Sequence, residues 1–108
     1  MSDEFLQDRK KEISSNKILI YGKGSKLMPM CGFSGTVVEM FKQIGKPFEM
    51  VNVLDNPDIR ARLREITEWP TFPQIFVDGE FIGGCDIATE MFNSGELHKV
   101  VEKAFAEG

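Results

Sequence analysis

Apolar and polar positions alternate along the chain with two periods. Between Asp3 and Ile13, Phe5, Leu6 and Ile13 stand among charges, which predicts a short surface helix. Lys17-Ile18-Leu19-Ile20-Tyr21 is a short, partly β-branched run and predicts a buried strand. Gly22, Gly24 and Pro29 then mark a loop. From about Gly32 to Ile44, Val37, Val38, Phe41 and Ile44 fall at helical spacing, and Gly45 closes that helix. Phe48 to Val53 alternates as a second strand. Asn56-Pro57 predicts an N-cap with proline at the first helical position, opening a helix from Asp58 to about Glu68.

Gln74 to Val77 predicts a third strand, Asp78-Gly79 a hairpin turn, and Glu80 to Ile82 the returning strand. Gly83-Gly84 breaks the sheet, and Asp86 is placed to cap a helix from Ile87 to Asn93. Leu97, Val100, Val101, Ala104 and Phe105 form the stripe of a last helix. The order α-β-α-β-α-β-β-α-α implies a mixed central sheet covered by helices on both faces. Its β-α-β unit should pair in parallel through a right-handed crossover.

With 108 residues, the expectation is a single domain over 1–108. The formal net charge of −4 makes nucleic acid and anionic membrane poor default partners. No apolar run approaches the ~20 residues needed to cross a bilayer. The charged start, Met1 to Lys17, has the pattern of neither a secretory nor a transit peptide. Two cysteines, Cys31 and Cys85, are few for a secreted scaffold of this size, so a reducing, cytoplasmic setting is expected. His98 is the only histidine, which excludes a His-rich metal site within one chain.

The chemistry gathers in the loop from Lys23 to Gly35. Cys31 follows a strand and opens a helix, where free N–H groups and the helix dipole favour a thiolate over a thiol of pKa ~8.5. Lys23 adds positive charge if the loop folds back. The plainer alternative is a small buried apolar side chain. Three residues on, Ser34 stands where a resolving thiol would stand. A mixed disulfide at Cys31 therefore needs glutathione, another chain or Cys85 to resolve it. Alternatively, Cys31 is a metal ligand. One thiolate cannot fill the four positions of a [2Fe–2S] cluster; two chains supply two, and Cys85 of each chain or a small thiol would supply the other two.

Pro73 precedes a strand. It is either an ordinary trans proline at a sheet edge or a cis proline that turns the Phe72 backbone towards an extended peptide. Gly83-Gly84-Cys85-Asp86, before a helix, is either a plain cap or an anion site. Arg60, read as a first-turn cation, hints at an external carboxylate.

Four segments, Lys23-Gly24-Ser25, Cys31-Gly32-Phe33-Ser34, Trp69-Pro70-Thr71-Phe72-Pro73-Gln74 and Gly83-Gly84-Cys85-Asp86, resemble the monothiol glutaredoxins of the Cys-Gly-Phe-Ser type. The resemblance runs from about residue 5 to 105, and the four motifs in order make it specific. It implies a thioredoxin fold with a mixed four-stranded sheet and a cis bond before Pro73. It implies glutathione beside Cys31, with Lys23 and Arg60 at the glycine carboxylate and the Phe72 backbone along the cysteinyl part. Cys85, through its backbone N–H, and Asp86, through its carboxylate, would take the γ-glutamyl end.

The same resemblance makes Cys31 the ligand of a [2Fe–2S] cluster shared by a homodimer and completed by two glutathione thiolates. It implies a role in cluster storage and transfer and in iron homeostasis, with BolA-like proteins and apo iron–sulfur clients as partners. Any disulfide reduction would be weak. Two alternatives use the same thiol: a glutathione-dependent oxidoreductase with Cys31 as nucleophile, and a Cys31–Cys85 disulfide switch. Gly35 and the apolar Met28 and Met30 depart from the usual family pattern.

Overall fold

The computed structural model describes residues 3–106; residues 1, 2, 107 and 108 of the expected 1–108 span lie outside the described residues. Four strands, β1 (Ile18–Gly22), β2 (Glu49–Asn52), β3 (Gln74–Val77) and β4 (Glu80–Gly83), form one sheet in the order β2-β1-β3-β4. β1 pairs in parallel with β2 and antiparallel with β3, and β3 and β4 form the antiparallel hairpin. Helices α1 (Glu4–Ser14), α2 (Gly32–Ile44), α3 (Pro57–Arg62), α4 (Arg64–Thr67), α5 (Cys85–Ser94) and α6 (Glu96–Ala106) complete the order. This is the thioredoxin fold that the motifs implied. The bond between Phe72 and Pro73 is cis, as expected from the resemblance.

β1 is apolar throughout because both its faces are covered. Ile18 and Ile20 point into a core with Val37, Val38 and Phe41 of α2 and Leu97 and Val101 of α6. Leu19 and Tyr21 point the other way, into a second core with Ile13, Ile59, Leu63 and Phe76. Period-two alternation therefore divides one strand between two cores. Each fully buried large side chain contributes about 1.5–3 kcal/mol through its removal from water. The Tyr21 hydroxyl donates to Glu12 Oε1 at 2.5 Å and ties α1 to the second core.

Two expectations need correction. The predicted helix from Asp58 to Glu68 is two short helices meeting at the fully buried Leu63. There the Ile66 N–H bonds to the Leu63 carbonyl, an i→i+3 contact that tightens the turn and resets the helix. Asn56 is the N-cap before Pro57 as expected, but its side chain makes no capping bond; its Nδ2 donates to the Asn52 carbonyl. Asp86 is not the cap of α5: the helix starts one residue earlier, at Cys85, with Gly84 as N-cap and no side-chain bond. By contrast, Gly45 ends α2 at φ 85°, as its position after the apolar stripe predicted.

Leu63 locks α3 and α4 onto the second core, so Leu63→Ala should cost about 2–5 kcal/mol in urea unfolding. A loss below about 1 kcal/mol would show that this junction does not anchor the two helices.

Candidate functional site

Two loops meet where β1 ends and β3 begins. In the β1–β3 register Tyr21 is opposite Gln74, so the residues after β1 lie beside the residues before β3. The loop after β1 folds back on itself. The Met30 N–H bonds to the Lys23 carbonyl at 2.8 Å, and Gly24 and Pro29 bridge as an antiparallel pair. The Asn52 side chain holds this loop to β2 by accepting from the Gly24 N–H at 2.9 Å. Lys23 is thereby returned to the neighbourhood of Cys31.

Cys31 is the N-cap of α2, in an extended conformation (φ −149°, ψ 155°). Its sulfur accepts from the Ser34 N–H at 3.4 Å and lies 3.4 Å from Ser34 Oγ. Ser34 is fully buried, and its hydroxyl oxygen also accepts the Lys23 backbone N–H at 3.0 Å. With that lone pair engaged, the hydroxyl proton is free to turn to the sulfur when Cys31 ionises. Gly22 leaves the room for this contact, since a Cβ there would sit 3.1 Å from Ser34 Oγ and 2.7 Å from Met50 Cε.

Burial pushes the Cys31 thiol up, but other effects outweigh it. Bonds from the Ser34 hydroxyl and from the Ser34 and Phe33 N–H groups, with the nearby Lys23 charge, bring the net shift below the ordinary thiol value. Cys31 is half-buried with a free thiol, so its sulfur is not locked in the core as the plainer alternative required.

A cavity of about 530 Å³ is lined by Lys23 and Phe33 of the segment that carries Cys31, although Cys31 itself is not one of its lining residues. Its wall includes all five residues expected to bind a small molecule: Lys23, Arg60, Phe72, Cys85 and Asp86. Arg60 comes from α3, whose Ile59 packs in the second core, and Asp86 from α5, whose Ala88 packs in the first. The cavity is thus flanked by opposite charges carried on opposite faces of the sheet. Neither Lys23 nor Arg60 forms an ion pair with a described residue, whereas Arg62, two residues from Arg60, pairs with both Asp3 and Glu65.

Arg60 is the fourth of six residues in α3, where the first and last turns overlap, so the helix dipole does not decide its role; its place on the cavity wall stands on geometry. Cys85 packs partly against the first core, with its sulfur 4.0 Å from the Thr89 hydroxyl. Gly84 brings α5 close to the opposite wall, where a Cβ would meet Trp69 Nε1 at 3.0 Å.

The family model described as Glutaredoxin matches residues 18–82. The chain is 51% identical over 94 residues to "Monothiol glutaredoxin-S14, chloroplastic" of Arabidopsis thaliana, covering 87% of this chain and 54% of that protein. It thus spans about half the length of that relative. It is 46% identical over 99 residues to "Probable monothiol glutaredoxin 2" of Rickettsia felis, covering 92% of each. The chain belongs to the monothiol glutaredoxins.

Among solved structures, a glutaredoxin–glutathione complex from buckwheat superposes with a TM-score of 0.82 at 28% identity, covering 94% of this chain and 90% of that one. Within the glutaredoxin pattern, the sequence reading passed over Ser34 as a partner of the thiolate, treating it only as a missing sulfur. The signal was present: position 34 is the third residue of a helix capped by Cys31, where an N–H and a hydroxyl both reach back to the cap.

Because the Cys31 shift is downward, its thiolate persists at pH values where a free thiol is protonated. Ser34→Ala should move the titration midpoint of Cys31 upward, read from thiolate absorbance near 240 nm. Alkylation by iodoacetamide should slow roughly tenfold at mildly acid pH, the effect of losing one hydrogen bond to a charged group. An unchanged midpoint would remove the hydroxyl from the account.

Proposed function

We propose that this single glutaredoxin domain binds glutathione in the cavity beside Cys31 and uses the pair to carry a [2Fe–2S] cluster between proteins. The observation that carries the glutathione part is the convergence of Lys23, Arg60, Phe72, Cys85 and Asp86 on one cavity of tripeptide size. The two unpaired cations suit a carboxylate and Asp86 suits an ammonium group. Phe72 offers a backbone N–H and carbonyl with no hydrogen-bond partner among the described residues, suited to an extended peptide laid along it. The buckwheat relative forms a complex with glutathione, which agrees with this assignment.

The cluster is cargo in this reading, and its fit rests on ligand supply. Cys31 provides one partly exposed, ionisable thiol. Among the described residues no group of three or more histidine, cysteine or acidic side chains is arranged to hold a metal. The other thiolates must therefore come from outside: glutathione and a second chain. The stretch of chain that carries Cys31 exposes apolar side chains, with Met28, Met30 and Phe33 all more than 60% exposed. Such a surface supports docking of a second copy, a BolA-like protein or an apo client over the cluster. A reducing compartment such as the cytoplasm would keep both cysteines as the thiols they are here.

The lowered Cys31 pKa also favours a second use of the site, attack on glutathione mixed disulfides, with free glutathione as the resolving thiol. Ser34 cannot close an intramolecular disulfide, so turnover would depend on the outside thiol. Both readings require glutathione in the same cavity.

Anaerobic reconstitution with iron, sulfide and glutathione should give a coloured dimer. Cys31→Ser should abolish the colour, and Lys23→Ala with Arg60→Ala should raise the glutathione needed by roughly tenfold or more. A Cys31→Ser protein that kept the cluster would overturn the ligand assignment. A double variant indistinguishable from the parent would overturn the glutathione site.

A further inference from the structure

β3 is apolar except at its first residue. Gln74 is 1% exposed and lies on the same face of the sheet as Phe76 and Tyr21. Burial alone does not favour an amide there, because each unpaired polar atom in a core costs free energy. One such atom is present: Gln74 Oε1 has no partner among the described residues. The other end of the amide is fully used. Nε2 donates to the Trp69 carbonyl at 2.9 Å and to the Thr71 carbonyl at 3.0 Å.

Both acceptors belong to the segment that walls the cavity. Trp69 to Pro73 lies between α4 and β3 and has no ladder of its own to hold it. Its fixed points are few. Thr67 Oγ1 accepts the Trp69 N–H at 3.1 Å, Trp69 meets Phe81 edge-on at 5.7 Å, and Gln74 grips two carbonyls from within the fold. Phe72, whose backbone is left unpaired, comes directly after the second gripped carbonyl. A buried amide that leaves its own oxygen unsatisfied while holding two carbonyls of a binding wall makes sense as a spacer for that wall.

We propose that Gln74 is a positioning residue: it sets the path of the Trp69–Phe72 backbone and through it the affinity of the cavity for glutathione. This rests on the glutathione reading above. Gln74 touches no ligand; it acts through the two carbonyls.

The experiment compares the full chain with Gln74→Met and Gln74→Glu, using reduced glutathione as the probe in calorimetric titration. Trp69 is the chain's only tryptophan, so its emission reports the wall without glutathione. Gln74→Met should weaken glutathione binding at least tenfold and shift Trp69 emission, while the Cys31 titration stays in place. A loss of overall stability alone would move neither emission nor affinity in the folded protein.

Gln74→Glu gives a second signature. Its carboxyl donates one hydrogen bond when protonated and none when ionised. Affinity relative to the parent should therefore be partly restored at acid pH and fall as pH rises through that titration. If Gln74→Met does not fold, this pH dependence alone carries the test. Variants that bind within twofold of the parent at every pH would overturn the role of Gln74 and leave the glutathione reading intact. A parent chain that binds no glutathione would overturn both.

Discussion

The antiparallel pairing of β1 with β3 is the constraint on which the site depends. Both strands are buried on both faces, so their register admits little slip. Tyr21 against Gln74 places the end of one strand beside the start of the other. The loop leading to Cys31 and the loop leading to Pro73 then emerge side by side, although they lie far apart in sequence. The β3–β4 hairpin next delivers Gly84 and α5 to the same edge, where Gly84 approaches Trp69 closely. Three chain segments thus share one cavity wall because two central strands have a single way to pair.

Within that frame, Ser34 changes the chemistry of Cys31 instead of merely removing a partner from it. A second thiol at position 34 would trap the sulfur in an intramolecular disulfide after each attack. The hydroxyl occupies the same buried place, accepts the Lys23 N–H and remains within reach of the sulfur. It is neither oxidised nor expelled, so the thiolate keeps its stabilising contacts while remaining half-exposed. The backbone bond to Lys23 also couples the two ends of the loop. The residue that stabilises the thiolate is therefore the one that anchors Lys23 beside it.

Much of this was legible in the sequence. The both-face burial of Ile18 to Tyr21, the α2 stripe ending at Gly45 and the hairpin around Asp78-Gly79 follow from period and turn chemistry. The cavity residues were legible only through motif resemblance. Arg60 shows why: nothing in the local pattern announced that the helix resets at Leu63, and in the short α3 that results the dipole does not decide what Arg60 faces. Asp86 was misplaced for a related reason. An acidic residue shortly after two glycines has the pattern of a cap, but Gly84 takes the N-cap position and places Asp86 inside the first turn. Asn52 and Gln74 were missed altogether. Asn52 reaches across to Gly24, and Gln74 turns back to Trp69 and Thr71 in an irregular segment; neither kind of bond leaves a periodic signal.

The distribution of charge connects the fold to its chemistry. On the side of α1, the Arg62 guanidinium is engaged by Asp3 and Glu65, and Arg9 by Glu12. Lys26 is held by Glu49 and the Phe48 carbonyl. These cations are committed to fastening helices and loops. Lys23 and Arg60, on the cavity wall, have no such commitment among the described residues. A cation left unpaired beside a cavity keeps its full attraction for an incoming carboxylate, without first having to break an internal pair. In a chain of net charge −4, with acidic side chains in excess, leaving these two free is a property of their positions, not of composition. The exposed, apolar Met28, Met30 and Phe33 lie on the same stretch of chain as Cys31. The cavity sets the Lys23 and Arg60 charges among apolar walls, and Phe33 belongs both to its lining and to the exposed apolar surface, so one side chain joins the two regions.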